Sequence, residues 1–373
     1  MAIYLDSAAT TAMTPAALAE YAQVAEAYPA NPQGSHRAAR AAMAKLDECR
    51  ERCAALLGCT PAEVYFTSGA TESDNLAVTG RVHAGLVAAS AVEHKAVIAP
   101  VLHAGGELIP VEAYGSLDRD RFRAFLKERS SALSLVSVMA VNNETGVSYP
   151  VEILAGMVRK HAPGALFHTD AVQAAVVEPL APIGAEADLL SLSAHKFGGP
   201  KGCGILVAKD RGALRPLFLG GSQERDLRPG TQDLPAIAAM TVALEAAQAS
   251  AASSAAYMGS LQERFEALIA ELVPAAVVSG AGALRSPAIT HLLLPGATSE
   301  ELLFLLDQAG IAAAAGSACA SGALEPSHVV LAMGVAAPLA KSSLRFSFST
   351  STSPSDVELA AKALAEAYRR LVP

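Results

Sequence analysis

A chain of 373 residues, 52% hydrophobic and 17% charged, holds enough apolar surface for one large or two ordinary cores, and its composition is far from that of a disordered segment. A formal charge of −8 with no basic run excludes the concentrated positive face that binds phosphate backbones, so no nucleic-acid partner is expected. The longest apolar stretches are broken by Gly, Ser, Pro or charge, which predicts no membrane segment; an odd number of cysteines, five, and an opening "AIYL" that reads as a strand rather than a leader make a cytoplasmic location the expectation.

In chain order, "KLDECRERCAALLG" reads as a helix that places Cys49 and Cys53 at i and i+4. With Cys59 they could suggest metal ligands, but no histidine or second close pair completes a tetrahedral set, so no metal is expected. From about residue 40 to residue 240, short apolar runs alternate with helical patterns. "EVYFTS", "GLVAAS", "LSLVSVMAV", "ALFHTDA", "DLLSLSA" and "GCGILVA" are nearly continuous in apolar residues and read as strands buried on both faces. Between them lie helical segments such as "ESDNLAVTGRV" and "VEILAGMVRKHA". The alternation predicts an α/β fold whose large domain has a mostly parallel sheet covered by helices. A long Ala-rich helix starting at "LPAIAAM" leads to "PAITHLLL", a helix "SEELLFLLDQAG", a small-residue run "AAGSACASG", then "SSLRFSFS" and a final amphipathic helix, a pattern of a smaller α+β domain. The expected division is 15–255 for the large domain, with 1–14 and 256–373 forming the small one.

Ligands of parallel sheets bind beyond the carboxyl ends of the strands, so the polar residues after each run matter most. They are Thr67 to Thr71, Glu93 and His94, Asn142 to Glu144, Asp170 and Gln173, and Ser193, His195 and Lys196. Gly69, Ala70 and Thr71 stand between a strand and a helix, where open amides and a hydroxyl suit a phosphate or simply cap the helix. Asp170 and Lys196, at the ends of successive strands, would face one another across a cofactor or pair as a salt bridge. Pyridoxal phosphate needs such a pair: an amine for its aldehyde and a carboxylate to keep its pyridine nitrogen protonated. Lys95 and Lys196 both follow a histidine; Lys196 is preferred because glycines behind it allow close backbone approach. His94 would then stack on the ring and handle protons. Cys319, in the middle of "AAGSACASG", is either a buried small hydrophobe or a working thiol.

Ten ordered motifs, "LDSAATT", "NPQGSH", "FTSGATESDNLA", "EHKAV", "VNNETGV", "HTDAVQ", "SAHKFGGPKG", "RPGTQ", "GSACASG" and "LRFSFS", resemble those of the NifS-like cysteine desulfurases of the class V aminotransferase family, across residues 3 to 365. The resemblance implies a fold-type I pyridoxal-phosphate enzyme, a homodimer that converts L-cysteine to alanine and leaves a persulfide on an enzyme cysteine. On it, Lys196 would be the Schiff-base lysine, Asp170 the pyridine partner and Gln173 the partner of the phenolic oxygen. Ala70, Thr71, Ser193 and His195 would hold the phosphate, with Thr231 of "RPGT" reaching it from the other subunit. Asn143 would contact cofactor or substrate, Arg345 would clamp the substrate carboxylate, and Cys319 would accept the sulfur. The small-residue run matches relatives with a long cysteine loop, whereas the chain ends at "YRRLVP" without the longer tail that some relatives dock on an iron-sulfur scaffold. The sulfur acceptor is therefore left open between a scaffold, a thiolation protein and a more specialised partner. Rival readings are a selenocysteine lyase, another class V enzyme such as an aminotransferase, and a non-catalytic scaffold of the same fold.

Overall fold

The computed structural model describes residues 3–316 and 326–372. A short N-terminal strand, β1 (Ile3–Tyr4), stays outside the main sheet. That sheet is built by β2 (Val64–Thr67), β3 (Leu86–Ser90), β4 (Glu107–Ile109), β5 (Leu133–Ser137), β6 (Leu166–Asp170), β7 (Leu189–Ser193) and β8 (Gly204–Ala208), in the order β2-β8-β7-β6-β5-β3-β4. Only β8 is antiparallel to its neighbours, β2 and β7. Two reversals restore direction, so β2, β3, β5, β6 and β7 all end along one edge. The six apolar runs read as strands are strands; β4 was not foreseen.

Alternate side chains of a strand point to opposite faces, and here both faces are packed. Phe66, Val136, Leu190, Leu192, Ile205 and Val207 enter the largest core, whereas Tyr65, Leu135, Leu189, Leu206 and Ala208 enter a separate core on the other side. Each buried Val, Leu, Ile or Phe among them stabilises by roughly 1.5–3 kcal/mol. This double burial is why the strands read as continuous apolar runs rather than alternating ones. Cys49 and Cys53 belong to the same large core, completely buried, and Cys203 is buried beside Met240. Burial pushes the Cys53 thiol up to about 12, which makes it a core side chain rather than a nucleophile.

The helix Leu234–Leu272 runs through both halves of the molecule, at 1.5 Å per residue about 58 Å long. Its residues up to Leu244 join the large core and those from Met258 join a second core; the handover falls between Ala247 and Ala255. It is long and apolar enough to cross a membrane, yet 56% of its most apolar stretch is packed inside the protein, the usual position of a core helix. Around the second core, β9 (Val277–Val278), β10 (Ile289–Leu293) and β12 (Ser343–Ser347) form an antiparallel sheet with β10 in the middle, and β11 (Ile311–Ala312) pairs in parallel with β1. The final helix, Pro354–Leu371, starts with a capping box of Ser353 and Asp356 and lays Val357, Ala361, Leu364 and Tyr368 on that core. The two cores share elements: Val177 packs in the second, while Val329 and Met333 pack in the first.

Candidate active site

A cavity of about 640 Å³ opens at the edge where β2, β3, β5, β6 and β7 end. At the end of β2 the chain turns through Gly69, whose φ of +144° is a conformation that side chains rarely adopt. The helix Ala70–Thr79 starts there with no side chain capping it. Its first amides have no partner inside the helix, and Gly69, Ala70 and Thr71 line the cavity. Ser193 lies close behind the turn, its Oγ 3.4 Å from where a Cβ of Gly69 would sit. The helix itself begins at Ala70, two residues ahead of the segment read as helical. Glu72, in its first turn, is held by Arg228 (Nε to Oε1, 3.0 Å), which ties the "RPGT" loop to the turn.

Lys196 ends the short turn that follows β7, and its Nζ donates to the carbonyls of Ala8 (2.6 Å) and Ala9 (2.8 Å). Burial, helped by the positive charge of Arg345, pulls its pKa down to about 8. The amine is therefore partly neutral near physiological pH, as a nucleophile must be. Asp170, at the end of β6, receives the Val172 amide on Oδ1 (2.9 Å). Burial raises its pKa, and the charges of His94 and Lys196 act against that rise. His94 caps the helix Lys95–His103: its Nδ1 accepts from the Ala96 amide (3.1 Å), so the proton of the neutral ring sits on Nε2. Its ring opens onto the cavity, and desolvation by the surrounding protein lowers its pKa, against the pull of Asp170. Gln173 donates from Nε2 to the Ala8 carbonyl (2.9 Å), the same oxygen that Lys196 uses. His195 shares a hydrogen bond with Thr10 Oγ1 (3.0 Å), and burial with the neighbouring Lys196 charge pushes it down to about 4.

Arg345 reaches this space from β12, where it stands directly opposite His291 of β10. Its Nη1 donates to the Asn143 carbonyl (2.9 Å) and its Nη2 to Asp6 Oδ1 (2.6 Å), while Nε is buried with no hydrogen-bond partner among the described residues. A guanidinium in this state can take a carboxylate by exchanging Asp6 for it.

The cavity thus gathers Ala70, Thr71, His94, Asn143, Asp170, Gln173, Ser193, His195, Lys196 and Arg345, ten of the residues singled out in the sequence. Thr231 is exposed and does not line it. Cys319 lies outside the described residues. Lys95 lines the cavity too. Missed were Asp6, which holds Arg345, the carbonyls of Ala8 and Ala9, which the motif "LDSAATT" contains without any signal for their contacts, and His328, which lines the cavity; Glu144, collected among the polar strand-end residues without a role, lines it too.

Comparison with known proteins agrees with this geometry. The class-V aminotransferase family model matches residues 3–359. A cysteine desulfurase of Gluconacetobacter diazotrophicus is 39% identical over 368 residues, 96% of this chain and 91% of its own. A solved NifS-like protein superposes with a TM-score of 0.89 at 30% identity, covering 98% of this chain and 99% of that one. The structure of SspA in complex with cysteine superposes at 0.79 with 29% identity over 93% and 99% of the two chains. By motif order, cavity and these likenesses, the chain belongs to the class-V aminotransferase family, among its cysteine desulfurases.

Proposed function

We propose that this enzyme binds pyridoxal 5′-phosphate in the cavity, takes sulfur from L-cysteine, and hands it from a persulfide on Cys319 to an acceptor protein such as an iron-sulfur scaffold. The observation that carries the cofactor is the donor set: an uncapped helix start at Gly69 to Thr71, and a buried Lys196 amine, pulled to about 8, in one cavity with the buried Asp170. These fit a phosphate, an aldehyde and a pyridine nitrogen respectively. Ala70, Thr71, Ser193 and His195 would hold the phosphate, Gln173 the phenolic oxygen and Asp170 the ring nitrogen, with the His94 ring against the face. When bound, the cofactor supplies an electron sink for charge developing at the substrate's α-carbon.

The chain's own groups do the remaining work. Arg345 exchanges Asp6 for the substrate carboxylate and, with Asn143, orients the amino acid. Lys196 would take the α-proton as its free amine, which its lowered pKa suits. His94 Nε2–H is placed to give or receive a proton at the cavity. Cys319 as thiolate attacks the substrate sulfur: a sulfur–sulfur bond forms, the carbon–sulfur bond breaks, and protons return to the carbons so that alanine leaves. Cysteine plus thiol become alanine plus persulfide, balanced without an external oxidant. SspA was solved with cysteine bound, which favours cysteine as the substrate over keto-acid exchange. We further propose a cytoplasmic homodimer in which Thr231 completes the partner's phosphate site.

The test is release of alanine and sulfide from L-cysteine in the presence of a reductant, with keto acid measured alongside. Equimolar alanine and sulfide are expected; amino-group transfer to a keto acid without sulfide would make the protein an aminotransferase.

A further inference from the structure

Glu144 has no part in the chemistry above, yet it is almost completely buried beside the cavity, 2% exposed. Its backbone is locked: the Glu144 and Thr145 amides both donate to Asn142 Oδ1 (2.9 and 2.8 Å), and Asn142 Nδ2 donates to the Val92 carbonyl (2.8 Å). The backbone that carries the carboxylate is therefore held between the turns that follow β5 and β3. On one side, Ser327 Oγ donates a short hydrogen bond to Glu144 Oε2. Ser327 in turn caps the helix His328–Ala332 by accepting from the Val329 and Val330 amides, and His328 Nε2 donates to the Glu93 carbonyl (2.9 Å). On the other side is Gly316. A Cβ there would lie 2.4 Å from the same Oε2 and 3.3 Å from His291 Nε2, a buried nitrogen with no partner among the described residues. A side chain at this position would have to push the carboxylate end of Glu144 aside. Two residues earlier, Ala314 is paired with Arg345 in both directions (3.1 and 2.7 Å).

One carboxylate oxygen therefore bonds Ser327 on one flank of residues 317–325, the stretch that carries Cys319, and fills the space where a side chain of Gly316 would sit on the other. We propose that Glu144 is a positioning residue for sulfur transfer, fixing the two anchor points, Gly316 and Ser327, from which the thiol reaches the substrate. The inference rests on Cys319 being the acceptor. Cys319 is the third residue after Gly316, a reach of at most roughly 10–11 Å, so holding Gly316 at the cavity wall bounds how far from that wall the thiol can go. Release of that anchor leaves only the longer tether to Ser327. Arg345, His328 and Lys95 are the charged or titratable groups that act on the carboxyl; no pH switch is needed for the role, which is geometric.

The experiment compares wild type, Glu144→Ala, Glu144→Gln and Ser327→Ala as purified enzymes loaded with pyridoxal phosphate. Three readouts are taken: visible absorbance of the cofactor, its saturable change on adding L-cysteine, and single-turnover persulfide formation on the Cys319 peptide by mass spectrometry. Glu144→Ala and Ser327→Ala should keep the absorbance and the cysteine response, yet form persulfide at least about tenfold more slowly, since a displacement of ~1 Å can cost on the order of a hundredfold. Glu144→Gln, which keeps an acceptor for Ser327, should recover most of the rate. Wild-type persulfide rates in Glu144→Ala and Ser327→Ala overturn the positioning role while leaving the function intact. Loss of cofactor absorbance in both also overturns it, because the residue then supports the fold. No persulfide on Cys319 in the wild type ends the functional reading and this inference with it.

Discussion

At the scale of single residues, the sharpest statement concerns Lys196. Burial beside Arg345 lowers its pKa to about 8, well below that of an ordinary lysine. A depressed pKa means the free amine is the favoured form as pH rises through about 8. In the cofactor-free protein, the rate of pyridoxal phosphate capture should therefore climb with a midpoint near pH 8. A midpoint near 10, read by stopped-flow absorbance, would mean that Lys196 is solvated. Lys196→Ala should abolish the visible absorbance, while Cys319→Ser should keep it, still respond to L-cysteine, and form neither persulfide nor appreciable alanine, because a hydroxyl is a far poorer nucleophile than a thiolate. Alanine at the wild-type rate from that variant would remove Cys319 from the chemistry. Side-chain chemistry was legible here because the residue type limits the role: a lysine and an aspartate at successive strand ends have few joint uses. The contacts of Lys196 with the Ala8 and Ala9 carbonyls were not, since a backbone oxygen leaves no mark on the residue type. The Asp6–Arg345 pair joins residues 339 apart, a contact that periodicity cannot reach.

Among elements, legibility followed burial. β2, β3, β5, β6, β7 and β8 are buried along most or all of their length and announced themselves as apolar runs. β4 has three residues, only one of them buried, at the edge of the sheet, and too short a run carries no period. The turn Glu224 to Asp226 was also invisible. All three residues have positive φ, 45°, 54° and 62°, with no glycine among them. Glu224 explains why it persists: its buried carboxylate takes two bonds from Arg50 and one each from the Phe66 amide and Gln232, while Arg225 stacks over Tyr65 at 4.2 Å. Asp226 is exposed, and the bonds it makes here are backbone ones that a glycine keeps: its amide donates to the Ser222 carbonyl (3.2 Å) and its carbonyl accepts from Arg211 (3.0 Å). A left-handed residue with a side chain costs about 1–2 kcal/mol, and aspartate tolerates it better than most. Asp226→Gly should therefore raise stability in urea unfolding by up to ~1 kcal/mol, with the greater freedom of an unfolded glycine offsetting part of the gain. A loss of stability would show that the aspartate side chain does something here beyond filling the turn.

At the scale of the whole molecule, the site is a meeting of two packed bodies. The phosphate turn, Asp170 and Lys196 stand on the large sheet, while Arg345 and Gly316 come from the part built on the second core. Thr231 is exposed, outside the cavity of its own chain. On the same stretch, Phe218 is 56% and Leu219 94% exposed, an apolar pair that water alone does not favour. If that face meets a second copy, Thr231 reaches the partner's phosphate and the apolar pair is covered together with it. Leu219→Glu touches no group of its own cavity, so it separates assembly from chemistry. Sedimentation should find the wild type dimeric and the variant shifted toward monomer through the desolvation cost of the buried charge. Cofactor affinity should fall with the dimer fraction, and recover at protein concentrations that restore the dimer. A Leu219→Glu monomer that binds pyridoxal phosphate as tightly as wild type would show that each chain completes its own phosphate site and that Thr231 has no role across the boundary.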